Sequence, residues 1–282
     1  MSSQQSTQQS GIEAQAEKPA ICIAALHDIA QFQTCVDLQI AVWGYSDGDV
    51  IPRRVFLLAD RIGGQVLGAF DGDTIVGFAM ALPGYKYRKP YLHSHMLAVL
   101  PEYRNLGLGR RLKLVQREDA MARGFELMEW TFDPLEIKNA HLNIARLGAI
   151  CRRYQADFYG PSSSPLQGGL PTDRLYAEWW LRSPRVLRHL GESGEADDHT
   201  DTVEEEVLVP HQLAQWKQEA GTRELARARQ QANREDFQTA FTRGLAVVGY
   251  RKDHNGDGNF LVGPIAPAEI APTKGSAAVA IT

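Results

Sequence analysis

The sequence predicts an α/β (α+β) fold, with helices flanking a sheet and a C-terminal α/β extension. Three observations carry this. Between residues 20 and 185, short β-type apolar runs alternate with stretches whose apolar residues recur at helical spacing. At the centre, a β-type run over 93–100 passes through a glycine-containing loop into an amphipathic helix over 109–123. Beyond an acidic run, GESGEADDHTDTVEEE, strand and helix patterns resume.

Composition narrows the class of protein. The 282 residues are 44% hydrophobic and 23% charged, an ordinary soluble composition. A net charge of −4 gives no global basic balance, so nucleic acid is not an expected partner. No apolar run reaches membrane-spanning length, so no membrane partner is expected either. Cys22, Cys35 and Cys151 have neither paired nor metal-type spacing. Reduced thiols in the cytoplasm are the expectation, with no metal.

Taken in order, residues 1–19 are Gln/Ser-rich, lack the apolar core of a secretory signal and are expected to form a disordered tail. Residues 21–26 read as a strand. Asp28 is placed to cap a helix through Trp43, with Ile29, Phe32, Val36 and Ile40 on its apolar face. Pro52 suits the first turn of a second helix, with Val55, Leu58, Ala59 and Ile62 inward. Residues 64–80 read as a hairpin turning at Asp71-Gly72-Asp73. The segment PGYKYRKP, 83–90, is expected to be a loop. A strand over 125–132 ends at Asp133-Pro134, and a helix over about 138–147 starts near Asn139 and stops at Gly148. Residues 150–159 and 174–182 read as strands around a long loop. This main domain spans 20–185, followed by an acidic linker over 186–206. The extension, 207–264, contains two helices and a hairpin. Residues 265–282 are expected to be disordered.

The chemistry-bearing spacing is Arg104-x-x-Gly107-x-Gly109 at the start of a helix. Glycine lets the backbone approach an anion closely. The helix start adds free N–H groups and the positive end of its dipole. Arg104, Arg110 and Arg111 add charge, and the group inferred is a pyrophosphate. The spacing fits neither a Walker loop nor a Rossmann fingerprint.

The run LAVLPEYRNLGLGRRL, 97–112, resembles the acyl-CoA-binding motif of the GNAT superfamily of N-acetyltransferases, Arg/Gln-x-x-Gly-x-Gly/Ala after a strand. The order of elements over residues 20–185 agrees. The resemblance implies a mixed, mostly antiparallel twisted sheet flanked by helices. It implies that Leu97 and Val99 offer backbone groups to a pantetheine arm. It also implies that Arg104, Asn105, Leu106, Gly107, Leu108, Gly109 and Arg110 cradle the pyrophosphate of acetyl-CoA or another acyl-CoA, and that Asn139 contacts pantetheine. YLHSHMLAVLPEYRNLGLG, EWTFDPL and GLPTDRLYAEWWL together resemble a subgroup of bacterial members with a C-terminal extension.

Acyl transfer needs an amine to attack the thioester and lose a proton, an oxyanion to be stabilised and a thiol to leave. His93 and His95, two apart on a strand, share a face and are the candidate catalytic bases. His-x-His-x-Leu-Ala-Val resembles strands of family members in which two histidines serve proton removal. The family's thiolate-protonating tyrosine has no counterpart at Ile144, so Tyr154 and Tyr159 are the substitutes. Asp133, Asn143, Asp173 and Arg174 are candidate substrate residues, Arg174 because a guanidinium can pair bidentately with a carboxylate. Glu129 is a further polar candidate. DHNGDGN, 253–259, lacks the glutamate an EF-hand needs at position twelve and reads as a hairpin turn. The arginines of the long helix in the extension read as a solvated face.

The expected activity is acyl-CoA-dependent N-acyl transfer, from acetyl-CoA, to a small-molecule amine or amino acid. Two alternatives stand beside it: succinyl-CoA-dependent amino-acid N-succinyl transfer, and a CoA-binding sensor without turnover. The extension is expected either to cap the substrate cleft or to build a homodimer.

Overall fold

The computed structural model describes residues 20–46, 48–193 and 201–271. The two expected terminal tails lie outside these residues over 1–19 and 272–282, as does 194–200 of the expected linker. The strands are β1 (Cys22–Ala25), β2 (Gln65–Asp71), β3 (Thr74–Lys86), β4 (Lys89–Val99), β5 (Leu127–Phe132), β6 (Ile150–Gln155), β7 (Arg174–Trp180), β8 (Glu205–Val209), β9 (Ala246–Lys252) and β10 (Gly258–Gly263). The helices are α1 (Ile29–Trp43), α2 (Arg53–Arg61), α3 (Leu108–Ala122), α4 (Ile137–Ala140), α5 (Pro184–Leu190), α6 (Leu213–Gln218), α7 (Arg223–Thr242) and α8 (Pro267–Ile270). The last turns after α4, His141–Arg146, are π-helical, and Gly148 closes them at φ 73°.

All strands join one sheet in the order β1-β2-β3-β4-β5-β7-β6-β9-β10-β8. Every pair is antiparallel except β4 with β5, which pair in parallel at Leu92–Met128 and His93–Glu129. The extension therefore continues the sheet: β9 meets β6 at Cys151–Val247 and carries β10 and β8 outward. Part of the expected linker is ordered, since α5 occupies 184–190 and Arg185, 1% exposed, pairs with Asp201 at 2.9 Å. α8 lies inside the expected C-terminal tail, held by an Arg188–Glu269 ion pair.

Local signals explain the helix starts. Asp28 accepts from Ala30 N at 2.7 Å, and Gln31 reaches back to the cap, a full capping box. The inward faces of α1 and α2 differ from the expected ones. Phe32, Cys35 and Leu38 of α1 and Phe56 and Ala59 of α2 are buried, while Ile29, Ile40, Leu58 and Ile62 are about half exposed. Both helices pack on Phe78, Met80, Met96 and Ala98, whereas α3 packs Leu108 and Leu112 on Leu67, Ala69 and Ala79. Adjacent residues of β3 point to opposite faces, so α3 covers one side of the sheet and α1 with α2 the other.

The segment 83–90 is not a loop. β3 and β4 continue through it as a hairpin, with Tyr85 opposite Pro90 and Lys86 opposite Lys89. Tyr87 and Arg88 make the turn at φ 53° and 63°, so the positive φ a two-residue hairpin needs is met without glycine. Lys86 and Lys89 anchor it by ion pairs to Glu129 and Glu126 at 2.5 and 2.7 Å. No helix among the described residues is long and apolar enough to cross a membrane.

Candidate active site

The glycine loop leaves β4 through a short turn over Pro101–Tyr103, pinned by Tyr103 Oη donating to Asp71 at 2.7 Å. Asn105 and Gly107 both take positive φ, 63° and 75°, and Gly107 caps α3 with no side chain satisfying the helix start. The first turn of α3 carries no acidic residue. Its leading N–H groups thus remain available, as an anion site requires. Arg110 Nε is buried with no partner, and Arg104, Leu106 and Gly107 are exposed. Nothing lies within 4 Å of where a Gly107 side chain would begin. The chemistry of these residues suits a diphosphate, which Arg104, Arg110 and the 107–110 backbone could hold. Arg111 is committed elsewhere: its Nη2 donates to Ile21 O, just before β1, at 2.5 Å. Gly109 is less demanding than the motif suggests, since a Cβ there would meet only Leu97 and Leu142 at ordinary distances of 3.6 and 3.7 Å.

β4 and β5 pair at their beginnings and then part. Past His93, the β5-facing edge of β4 has no strand partner, so the backbone around Leu97 borders an open cleft. Val99 O accepts from Arg104 Nε at 3.3 Å, tying strand end to loop. A β-bulge places His95 as the extra residue between the Met80–Met96 and Ala81–Ser94 pairs. Before it, Ser94 faces α3 and takes hydrogen bonds within the Lys113–Gln116 turn, Lys113 Nζ donating to it at 2.7 Å. After it, Leu97 faces α3 instead. His93, alternating with Ser94, looks to the side covered by α1 and α2, and its ring lies 6.0 Å from that of His95.

Both histidines are held neutral. Burial pushes His93 down to about 4, helped by His95, Lys113, Arg153 and Lys86. Burial alone lowers His95. On the same side, Glu129, 2% exposed, binds Lys86 at 2.5 Å and Arg153 Nη2 at 2.9 Å. Arg153 also covers the Tyr176 ring at 3.9 Å. Of this group, the sequence marks the histidines by their spacing and Glu129 as a polar candidate. Lys86, Arg153 and Tyr176 come from separate strands, and no local motif marks them.

Other predicted residues fall in several places. Asp173 is fully buried, accepting from Arg234 at 2.9 and 3.0 Å, from Asp157 N at 2.9 Å and from Tyr154 Oη. Its carboxylate is thus engaged within the fold, and Arg234 is no solvated residue. Asp133 caps Leu135 N at 2.8 Å and faces buried Lys217 at 3.4 Å, so it too is engaged. Burial and the Asp173 hydrogen bond raise Tyr154 far above a useful acid. Tyr159 lies past the end of β6 and shares a hydrogen bond with Thr131 at 3.1 Å. Arg174 stands 5.2 Å over the Tyr159 ring, its Nη1 donating to Asp173 O at 2.8 Å. Tyr45, whose hydroxyl feels Arg174 and Tyr159, brings the α1–α2 loop to this side. Asn143 is buried beside Ile144, and Asn139 is exposed on α4, which starts earlier than expected, at Ile137.

A parted parallel strand pair, an uncapped helix start and a glycine loop between them together frame the cleft. Residues 32–143 match the model of the Acetyltransferase (GNAT) family. Solved structures similar to the chain include Salmonella typhimurium yncA with its cofactor acetyl-CoA, at 16% identity over 57% of this chain and 94% of that one, with a TM-score of 0.45. An aminoglycoside acetyltransferase from an uncultured soil metagenomic sample is 20% identical over 42% and 82%, with a TM-score of 0.39. Ard1 from Thermoplasma volcanium is 12% identical over 56% and 96%, with a TM-score of 0.44. No curated protein matches the sequence.

Proposed function

We propose that the chain is an acyl-CoA-dependent N-acyltransferase that uses acetyl-CoA and acts on the primary amine of a small molecule. The observation that carries this is the join of two half-sites along β4: the uncapped start of α3 beyond one end, and two neutral, adjacent imidazoles upstream. The bound donor supplies an activated acyl carbonyl with a thiol as leaving group. Arg104, Arg110 and the backbone at 107–110 hold its diphosphate, and the free edge of β4 at Leu97 and Val99 orients its arm. Asn139, exposed on α4, is the side chain this reading assigns to the pantetheine arm.

On the other side, His95 accepts the amine proton. Its proton affinity is lowered by burial alone, whereas His93 is pushed to about 4 and is the weaker base. His93 serves as a second neutral acceptor in reach of the first. Tyr159 and Arg174, with Tyr45, border the acceptor side, and Tyr159 is the hydroxyl left to donate a proton. Three unpaired thiols fit a reducing cytoplasm.

The test is thiol release by purified protein from acetyl-CoA and from succinyl-CoA, each with a panel of small amines and N-terminal peptides. Amine-dependent release from acetyl-CoA is the expected result. Faster release from succinyl-CoA would reassign the donor. Tight CoA binding with no release for any amine would reject catalysis in favour of sensing.

A further inference from the structure

A charged layer beside the histidines is organised by depth. Glu129 and Glu178 lie at the bottom, 2% and 1% exposed. Above them stand Arg153 and Arg152, 39% and 34% exposed, and Lys86, 19% exposed. Three cations therefore cover two carboxylates, and what a ligand meets is the positive layer. A β-bulge makes this possible. Cys151 pairs with Ala177 and Tyr154 with Leu175, so Arg152 and Arg153 both stand opposite Tyr176. The Arg153 Nε is buried and has no partner.

The extension supplies the facing wall. An open pocket of about 640 Å³ lies between Arg152, Arg153 and Tyr176 on the sheet and Gln238, Phe241 and Thr242 on α7. That size suits a small molecule. No Asp or Glu lines it, while Gln238 and Thr242 add hydrogen-bonding groups. It is not a second diphosphate site for the donor. β4 runs from His93 to Val99 before the glycine loop begins, a span of about 20 Å at strand rise.

We infer that Arg153, with Arg152 and the α7 side chains Gln238 and Thr242, forms a carboxylate-binding subsite, so that the acceptor is an amine bearing a carboxylate. This rests on the acyl-transfer reading and sharpens it. The guanidinium holds the anion at one end of the acceptor and leaves its amine toward the histidines. α7 then sets specificity, which gives the C-terminal extension a role in substrate choice.

The experiment compares amino acids of both chiralities with their carboxamides, which keep the amine and side chain and lose only the charge. The carboxamide amine is the less basic of the two, so amine deprotonation alone would favour the amide. Wild-type protein is expected to prefer the acid by about 10-fold or more in kcat/KM, the scale of a charge-assisted hydrogen bond. Arg153→Gln is expected to bring that ratio close to one, mainly through KM. Gln238→Ala, an exposed change on α7 that leaves the core untouched, is expected to raise KM for the acid several-fold. Equal or better use of the amide by wild type, or an unchanged ratio in Arg153→Gln, overturns the inference while the acyltransferase stands. Should no amine release thiol, the acyl-transfer reading fails. Calorimetric titration of the same acids and amides into CoA-saturated protein then decides the subsite: acid-selective binding lost in Arg153→Gln supports it, and no acid-selective binding overturns it.

Discussion

An imidazole accepts a proton only as well as its surroundings allow. His93 and His95 differ in this respect although both stand on β4. Lys86, Arg153 and Lys113 oppose a charge on His93, while His95 carries only its burial. We therefore expect His95→Gln to lower kcat/KM by about 10²-fold or more and His93→Gln to lower it less, within the range of general-base effects. Steady-state kinetics at saturating acetyl-CoA reads the difference, and equal losses would remove the assignment of His95. A stability effect accompanies it. His93 titrates near 6.5 when unfolded and at about 4 when folded. Below pH 6.5 the unfolded chain takes a proton that the folded one refuses. Stability therefore falls as pH drops from 6.5 to 4 and levels off below, by up to roughly 3 kcal/mol. Urea titrations of wild type and His93→Gln across this window should show the slope flattened in the variant.

At the scale of elements, the loop between β4 and α3 separates two glycines that a motif treats alike. Gly107 sits at φ 75° in open space, so Gly107→Ala meets no clash but forces a left-handed alanine, at about 1 kcal/mol. Gly109 has an ordinary helical backbone, with room for a methyl group against Leu97 and Leu142. Gly109→Ala should keep both stability and the KM for acetyl-CoA within about two-fold, while Gly107→Ala should raise that KM and lower Tm. A reversed order in thermal melts and donor titrations would contradict this account of the loop. The same contrast measures what the sequence discloses. The Asp28 cap, the turn after Asp71 and the stop at Gly148 were legible because each depends on residues within a few positions. The β3–β4 hairpin was hidden by Pro83, Pro90 and a Tyr87-Arg88 turn without glycine, and it is held by Glu126 and Glu129 from about 40 positions away. The apolar faces of α1 and α2 were misjudged because both helices carry more apolar residues than they bury. Arg153 was invisible for a further reason. Only a bulge in β6 and the order of four strands put it beside Glu129 and His93.

For the whole molecule, the decisive feature is that the extension shares its core with the main domain. Met128, Trp130 and Trp179 belong to the same buried cluster as Phe237, Phe260 and Val262. Phe237 of α7 stacks on Tyr154 of β6 and meets Phe260 of β10 edge-on. Asp173 fastens the join, with no exposure of its own and the Arg234 fork as its cation. Lys217, 2% exposed, makes a second fastening to Glu136 at 2.7 Å. A chain built this way should unfold in one transition, because neither part can lose the other without exposing a shared apolar surface. Arg234→Ala leaves the Asp173 charge buried without its cation, at a cost of about 3 kcal/mol. The loss should move the entire denaturation curve to lower denaturant, with tryptophan fluorescence and far-ultraviolet circular dichroism still coinciding. Four of the five tryptophans, at 43, 130, 179 and 180, lie in the main domain, and Trp216→Phe removes the one on α6, whereas α7 contributes its 20 helical residues to the dichroism. If the dichroism fell first and the fluorescence later, the extension would be a separable unit. α7 could then be lost without disturbing the sheet that carries the histidines, and its place beside the acceptor pocket would be accidental.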